Sequence, residues 1–258
     1  ERFIKNQSIT LFSPNNTPGL YEAFGMPEFD ELYEKYEADE SIPKKTIRAQ
    51  ELFMDLLKER AETGRIYIMN IDHCNTHSSF KDKIYMSNLC QEITLPTKPL
   101  NHIDDKEGEI ALCILSAINL GLLTDMDELE ELCDLSVRAL DEIIDYQEYP
   151  VEAAKISTQA RRSLGIGYIG LAHYLAKNQV SYESKAAAKL VDKVTEAFQF
   201  FLLKASNNLA KEKTKCTWFE KTKYAEGILP IDTYKKELDE IVNRKYTYDW
   251  ERLRKEIK

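Results

Sequence analysis

The chain of 258 residues is 43% hydrophobic and 31% charged, with a formal net charge of -9 at pH 7. This composition is typical of a globular protein that is long enough to bury a sizeable core, as one large domain or two small ones. The acidic balance and the lack of a basic stripe argue against broad nucleic-acid binding, and no apolar run approaches the length of a membrane span.

The cysteine content indicates a reducing environment. Five cysteines in a chain of this length are too sparse for a secreted disulfide scaffold. Their odd number and the lack of an export signal predict a cytoplasmic location, where a disulfide would be catalytic and transient.

The first 64 residues predict mainly helical structure. A helix is expected around 29–36, where aromatic and aliphatic side chains recur at helical spacing. Pro43 is suitably placed to begin a second helix, and Gly64 is suitably placed to end it. The next residues, 65–71, alternate in polarity and are rich in β-formers, which predicts a strand.

The rest of the chain predicts short strands separated by long helices, which indicates α/β architecture. A mostly apolar run at 109–123 indicates a buried strand followed by a turn. Thr124 and Asp127 form a candidate N-cap pair for a helix through Asp145, and a second long helix is expected at 184–213. The side chains predicted to face the core are Leu129, Leu132, Cys133, Leu140, Ile143 and Ile144 in the first helix and Leu190, Val194, Ala197, Phe198, Phe201 and Leu202 in the second.

The segment 88–92 carries a chemically distinctive set of side chains. Asn88, Cys90 and Glu92 are spaced two residues apart, so in an extended segment all three would point to one side of the backbone. The β-rich flanks and Pro96 favour such a segment, which is also compatible with an ordinary strand end. A nearby carboxylate favours a thiol over a thiolate. This suits a sulfur that gives up a hydrogen atom while the carboxylate handles a proton.

Several blocks of the chain, in order, resemble the large, catalytic alpha subunit of class I ribonucleotide reductases. The block at 87–100 is similar to the active-site segment of that family. Further similar blocks lie at 63–68, 72–77, 108–113, 115–117, 119–121, 161–167, 202–207 and 227–234. The resemblance therefore extends over nearly the whole chain.

The resemblance implies radical reduction of ribonucleoside diphosphates to deoxyribonucleotides. By position, Cys90 would become a thiyl radical that abstracts the 3′-hydrogen of the ribose, Glu92 would take the 3′-OH proton, and Asn88 would orient the sugar hydroxyls. Cys113 would supply reducing equivalents as half of a redox disulfide whose partner lies outside this chain. The implied substrate-binding residues are Asn88, Leu89, Cys90, Gln91 and Glu92.

The family fold that the resemblance implies is a ten-stranded α/β barrel with the radical cysteine on a finger loop in its centre. On this basis, 1–258 is a portion of the barrel domain. A mainly helical lead-in at 1–64 is expected to precede barrel strands, the finger loop and outer helices at 65–258. We also expect the chain to be a segment of a longer protein, either a split-gene product or a recombinant domain.

The resemblance implies partners as well. No cofactor or metal would be bound directly, because the thiyl radical would derive from a metal-containing, radical-generating small subunit. Thioredoxin or glutaredoxin would provide the external dithiol reductant. The remaining portions of the large subunit would complete the enzyme, so this chain alone is expected to be inactive. Neither a membrane nor nucleic acid is an expected partner.

Other motifs have simpler interpretations. The His-Cys-Asn-Thr-His block at 73–77 resembles part of a zinc site, with Cys90 as a conceivable fourth ligand, but no second closely spaced ligand pair is present. The Gly-x-Gly-x-x-Gly block at 165–170 lacks the preceding hydrophobic strand of a dinucleotide fingerprint. By resemblance it packs the barrel wall. Adjacent arginines at 161–162 indicate solvated or salt-bridged side chains.

Cys74, Cys133 and Cys216 are not candidates for the missing redox partner. Cys133 fits the apolar stripe of a helix, and Cys216 lies in a polar segment before Trp218.

Two other functions remain open. A non-catalytic assembly or docking fragment of a split reductase would keep the motifs without turnover. Comparing the activity of the chain alone with its activity after mixing with complementary fragments would distinguish this function from catalysis. A cobalamin-dependent reductase also uses a thiyl radical on a barrel loop. The long class I blocks weigh against it, and radical generation without a second subunit would decide it.

Overall fold

The computed structural model describes residues 1–234, 237–241 and 245–258, without the side chains of 239 and 240. The chain divides into two units that are described separately. The first consists of Glu1–Ser78 and Ile84–Leu95, and the second of Ser79–Lys83 and Pro96–Lys258. The expected division into a lead-in at 1–64 and a barrel region at 65–258 stays a prediction.

The first unit combines helices with a two-stranded antiparallel sheet. Its elements are β1 (Ser8–Phe12), α1 (Glu28–Ala38), β2 (Lys44–Arg48), α2 (Ala49–Thr63) and α3 (Ile71–His77). The hydroxyl of Tyr33 in α1 donates to the Thr10 carbonyl at 2.8 Å and accepts from the Thr10 N–H at 2.7 Å. This reciprocal pair attaches α1 to β1. The predicted helix around 29–36 is confirmed.

Two predictions in the first unit are wrong. The residues after Pro43 form strand β2, which pairs with β1, so α2 begins only at Ala49. Residues 65–70 are irregular rather than a strand, because an extended segment needs a neighbour for its backbone groups and no strand is paired with it among the described residues. Gly64 does end α2, with a left-handed φ of 66° and its N–H donating to Arg60.

The second unit contains a parallel strand pair and most of the helices. Its elements are β3 (Ile114–Asn119), α4 (Met126–Tyr146), α5 (Glu152–Arg161), β4 (Leu164–Ile169), α6 (Leu171–Lys177), α7 (Lys185–Glu212), α8 (Leu238–Ile241) and α9 (Trp250–Ile257). In the parallel register, Leu115 lies opposite Gly165 and Asn119 lies opposite Ile169. Parallel strands connected through helices confirm the expected α/β content.

Strand β4 was not predicted from the sequence. Residues 165–169 of the glycine-rich block form most of this strand. Gly170 then adopts a left-handed φ of 74° and caps α6. The glycines lower the strand propensity of the block, so its β structure comes from pairing with β3.

The core of the second unit lies between the strand pair and helices α4 and α7. Most of the predicted inward side chains are buried, including Leu129, Cys133, Val194 and Ala197. Leu132, Leu190 and Leu202 are partly buried, and Ile143 is 42% exposed.

The ends of the long helices are close to their predicted positions. The N-cap of α4 is Asp125, which accepts from the Glu128 N–H, rather than the predicted Thr124. Thr124 instead donates to the Glu128 carboxylate. Ser184, at the expected start of the second long helix, caps α7 by accepting from the Ala187 N–H at 3.0 Å.

The described strands form two separate two-stranded sheets and no closed barrel. Within the described ranges, no helix is both long enough and apolar enough to span a lipid bilayer.

Candidate active site

Residues 88–93 form a closed turn in the first unit. The N–H of Gln91 donates to the Asn88 carbonyl at 3.3 Å, which places Cys90 at the third position of a four-residue turn. The Asn88 N–H donates to the Ile93 carbonyl at 3.2 Å, and the Ile93 N–H donates to the side-chain Oδ1 of Asn88 at 3.0 Å. The Asn88 side chain therefore replaces the backbone acceptor that a regular antiparallel pair would use.

This turn contradicts the predicted extended segment. Gln91 has a φ of +63°, in the left-handed region, and the chain reverses direction between Asn88 and Ile93. The alternation of side chains that holds in a strand does not apply to a turn. Cys90 and Glu92 are exposed and Asn88 is half-buried. The three side chains share one tight loop, but not through extended geometry.

A second asparagine fixes the chain where it enters this loop. Asn75 in α3 donates through Nδ2 to the carbonyls of Ile71 at 2.9 Å and Ile84 at 3.0 Å. Its Oδ1 accepts from the Ile84 N–H at 2.9 Å. Ile84 is fully buried, so Asn75 satisfies both of its backbone groups without a neighbouring strand. No role for Asn75 was predicted from the sequence. The available signal was an asparagine inside a helix, where its side chain competes for backbone partners.

The amide nitrogen of Asn88 can serve a ligand. Oδ1 of this side chain is held by Ile93, whereas Nδ2 makes no hydrogen bond to any described residue. An amide nitrogen offers two donors. A hydroxyl group approaching the loop would therefore meet a fixed donor on the same turn as the exposed Cys90 thiol and the exposed Glu92 carboxylate.

Cys113 belongs to the second unit and directly precedes β3. It is half-buried, and burial raises the pKa of its thiol, which favours the protonated form. Leu115 and Ala117, which follow at intervals of two, are exposed, whereas Ile118 packs into the core beneath the helices. Cys113 therefore lies in register with the face of the strand pair that α4 and α7 leave uncovered.

The segment leading to Cys113 is held by α5. Arg161, at the end of this helix, donates from Nη2 to the buried Glu109 at 2.7 Å and to Asp82 at 2.7 Å. Its guanidinium group also lies over the rings of Phe80 and Trp218, with 5.4 and 4.8 Å to their centroids. The expected salt bridge at this arginine is confirmed, and it lies inside the protein.

A second contact from α5 reaches the next residue of this segment. Ser157 donates its hydroxyl to the Ile110 carbonyl at 2.5 Å, and the Ile110 N–H donates to the Ala153 carbonyl at 3.4 Å. Both backbone groups of Ile110, three residues before Cys113, are thus hydrogen-bonded to α5. Neither Ser157 nor Glu109 was singled out from the sequence. The only signal was one acidic residue at the start of an otherwise apolar run.

The other candidate ligands and thiols do not form a site in the described part of the chain. No group of three or more His, Cys, Asp or Glu side chains there is placed to hold a metal ion. His73 and His77 lie on one side of α3 with ring centroids 6.1 Å apart, and both are exposed. Cys133 is fully buried, as predicted for a core residue, and burial together with Glu130 raises its pKa to about 12.

The whole chain matches a single family model. Residues 1–258 match the model for the barrel domain of ribonucleotide reductase. The chain belongs to this family. Membership confirms the resemblance on which the candidate residues were chosen, because the match includes both the turn at 88–93 and the strand that follows Cys113.

Curated relatives carry the same family name. The ribonucleoside-diphosphate reductase subunit alpha of Haemophilus influenzae is 59% identical over 262 residues, covering 100% of this chain and 35% of the relative. The ribonucleoside-diphosphate reductase 1 subunit alpha of Escherichia coli K12 is 58% identical over 262 residues, covering 100% and 34%. The corresponding subunit of Enterobacteria phage T4 is 44% identical over 266 residues, covering 100% and 34%. The chain spans about a third of the length of these relatives.

Proposed function

We propose that this chain is the part of a ribonucleoside-diphosphate reductase large subunit that carries the thiyl-radical site. The observation that carries the proposal is the turn at 88–93. The side-chain oxygen of Asn88 is held by a hydrogen bond within the turn. The side-chain nitrogen of Asn88, the Cys90 thiol and the Glu92 carboxylate then lie on one loop. Relatives named as alpha subunits of this reductase, identical at more than half of the aligned positions, support the choice of substrate.

Each side chain of the turn has a distinct role in the proposed reaction. The Cys90 sulfur, as a thiyl radical, takes the 3′-hydrogen atom of the ribose and becomes a thiol. Glu92 accepts the 3′-OH proton, and the Asn88 amide donates to a sugar hydroxyl and orients it. The 2′-hydroxyl then leaves as water with a proton from one of the two reducing thiols, and Glu92 returns its proton to the 3′ oxygen at the end of the reaction.

Cys113 is proposed to supply the reduction. Together with a second thiol, it gives two electrons and two protons to the nucleotide, and the two sulfurs become a disulfide. The hydrogen atom is returned to the 3′ carbon by Cys90, which regenerates the thiyl radical. Burial keeps the Cys113 thiol protonated, as a donor of protons requires.

The wider assembly is part of the same proposal. The strands β3 and β4 are proposed as neighbours in the wall of a ten-stranded barrel, and the turn at 88–93 as the tip of its finger loop. The remaining portions of the large subunit complete the barrel. A metal-containing small subunit generates the radical, and thioredoxin or glutaredoxin reduces the disulfide in the cytoplasm.

The test is the replacement of Cys90 by serine in a large subunit that contains this chain. An O–H bond is too strong to yield a usable radical, so deoxynucleotide formation should disappear, while Cys74→Ser, another thiol of the first unit, should remain active. Substantial turnover by the Cys90→Ser enzyme would refute the proposed role.

The alternative assembly function is tested with this chain alone. We propose that it does not turn over, because Cys113 lacks a disulfide partner within it. Deoxynucleotide formation by the purified chain, with only reductant and radical-generating subunit added, would contradict this. A chain that restores no activity when mixed with complementary fragments, although it binds them, would support the docking function instead.

A further inference from the structure

Gly165 in β4 lies against the thiol of Cys113. In the parallel register Gly165 is opposite Leu115, two residues beyond the cysteine. A Cβ atom at position 165 would lie 2.9 Å from the Cys113 Sγ and 2.5 Å from the Leu115 Cδ2. Both distances are shorter than non-bonded carbon contacts allow, so any side chain at this position would displace its neighbours.

The two neighbours differ in their ability to move. Leu115 is 58% exposed, and the atom that would clash, Cδ2, is at the far end of a flexible side chain. The Cys113 sulfur is attached directly to Cβ and can move only by rotation about χ1. The backbone before it is held by the contacts of α5 with Glu109 and Ile110. An added methyl group would therefore rotate the thiol rather than shift the strand.

We propose that Gly165 is a positioning residue for the Cys113 thiol. Because glycine has no side chain, the Cys113 sulfur can occupy the space beside it. The position of the sulfur in turn sets the direction from which Cys113 meets its disulfide partner. The inference rests on the proposed redox role of Cys113. A change of χ1 to another staggered position moves the sulfur by about 3 Å, whereas a disulfide requires two sulfurs about 2 Å apart in a narrow range of torsion angles.

The strand provides its own matched control. Gly167 lies two residues further along β4 on the same face, and a Cβ atom there would meet nothing within 4 Å. Gly165→Ala and Gly167→Ala therefore make the same chemical change in the same strand. Only at position 165 would the added methyl group clash with a thiol.

The experiment uses the full-length reductase subunit that contains this chain. The reduced protein is treated with an oxidised dithiol reagent, and the rate at which Cys113 enters its disulfide is followed by mass spectrometry alongside reductase turnover. We expect Gly165→Ala to lower both rates by about 10- to 100-fold, the loss typical of a misplacement of an ångström or more. Gly167→Ala should leave both rates unchanged, and alkylation of Cys216 should be the same in both variants.

Three results would overturn the inference. The first is disulfide formation by Gly165→Ala at the normal rate. The second is recovery of that rate when Leu115→Ala is added, because the effect would then come from the leucine. If Gly165→Ala does not fold, adding Cys113→Ala should restore folding by removing the sulfur, and failure to do so is the third.

A failure of the proposed function gives a different result. Normal turnover by Cys113→Ser would refute the redox role of this cysteine. The rate at which Cys113 forms its disulfide in Gly165→Ala would still decide whether the glycine positions the thiol.

Discussion

Two asparagine side chains in the first unit bind backbone groups that would otherwise need a neighbouring strand. Asn75 binds both backbone groups of Ile84, and Asn88 binds the N–H of Ile93. In each case an amide side chain stabilises irregular backbone close to the candidate site. For Asn88 the two ends of the amide have separate roles, since the oxygen closes the turn and the nitrogen is proposed to bind substrate.

The two roles of Asn88 can be separated by substitution. In Asn88→Asp, a carboxylate oxygen can still accept from the Ile93 N–H, but the donor is lost, so the turn should persist while turnover falls. We expect a loss of about 10- to 100-fold, as for one hydrogen bond worth about 1–3 kcal/mol. Amide hydrogen exchange at Ile93 measures the turn, and deoxynucleotide formation measures the reaction.

Asn88→Ala is the companion variant because it removes both ends of the amide. It should lower turnover similarly and also speed hydrogen exchange at Ile93. Full turnover by Asn88→Asp, or unchanged exchange in Asn88→Ala, would contradict the division of roles.

At the scale of secondary-structure elements, α5 connects the interior of the second unit to the segment before Cys113. Arg161 and Glu109 form an ion pair in which both side chains are almost fully buried. Breaking such a pair leaves an uncompensated charge inside the protein, which costs more than the pair itself contributes. The helix therefore holds this segment through a contact that is sensitive to loss of either partner.

Replacement of Arg161 should reveal this sensitivity. We expect Arg161→Met to lower the free energy of unfolding by about 3–5 kcal/mol, because it leaves the buried Glu109 with the exposed Lys98 as its remaining ion-pair partner. Adding Glu109→Gln should recover part of that loss, since the buried carboxylate that has lost its arginine is removed. Urea denaturation of the single and double variants measures both changes, and a double variant less stable than Arg161→Met would contradict the explanation.

The elements that could be predicted from the sequence are those whose own pattern determines them. Helices α4 and α7 carry apolar side chains at helical spacing over many turns, and both were predicted within a few residues. Strand β4 was missed because its glycines signal a loop, and 65–70 was wrongly predicted because β propensity without a pairing partner does not make a strand.

The candidate residues could be chosen from the sequence, but the geometry of their turn could not be predicted from it. The choice of Asn88, Cys90, Glu92 and Cys113 came from the resemblance of whole blocks. The turn itself depends on the left-handed Gln91 and on a side-chain bond across five residues, and neither follows from local propensity. The packing of Gly165 against Cys113 joins residues that are distant in sequence, so only the strand pairing reveals it.

At the scale of the whole molecule, the strand pair of the second unit is incompletely covered. Helices α4 and α7 pack on one face, whereas Leu115 and Ile169 on the other face are each more than half exposed. Parallel strands are normally buried on both faces. Further protein is therefore expected to cover this face, in agreement with a chain that spans about a third of the length of its relatives.

The purified chain should associate with itself or with complementary fragments of a large subunit. Exposed strand edges and apolar faces promote such association. Leu115→Lys and Ile169→Lys together should reduce it, because they place two charges on the uncovered face. Sedimentation measures the effect, and a monomeric wild-type chain without affinity for complementary fragments would count against the expectation.

Loss of label from the 3′ carbon of the nucleotide is the most direct test of the radical site. An assembled reductase containing this chain is given a ribonucleoside diphosphate labelled with tritium at the 3′ carbon, and release of label to water is measured. Cys113→Ser should still release label, since hydrogen abstraction precedes the reduction step, whereas Cys90→Ser should release none. Label release by Cys90→Ser at a rate close to that of the unmodified enzyme would contradict the assignment of Cys90 as the residue that abstracts hydrogen.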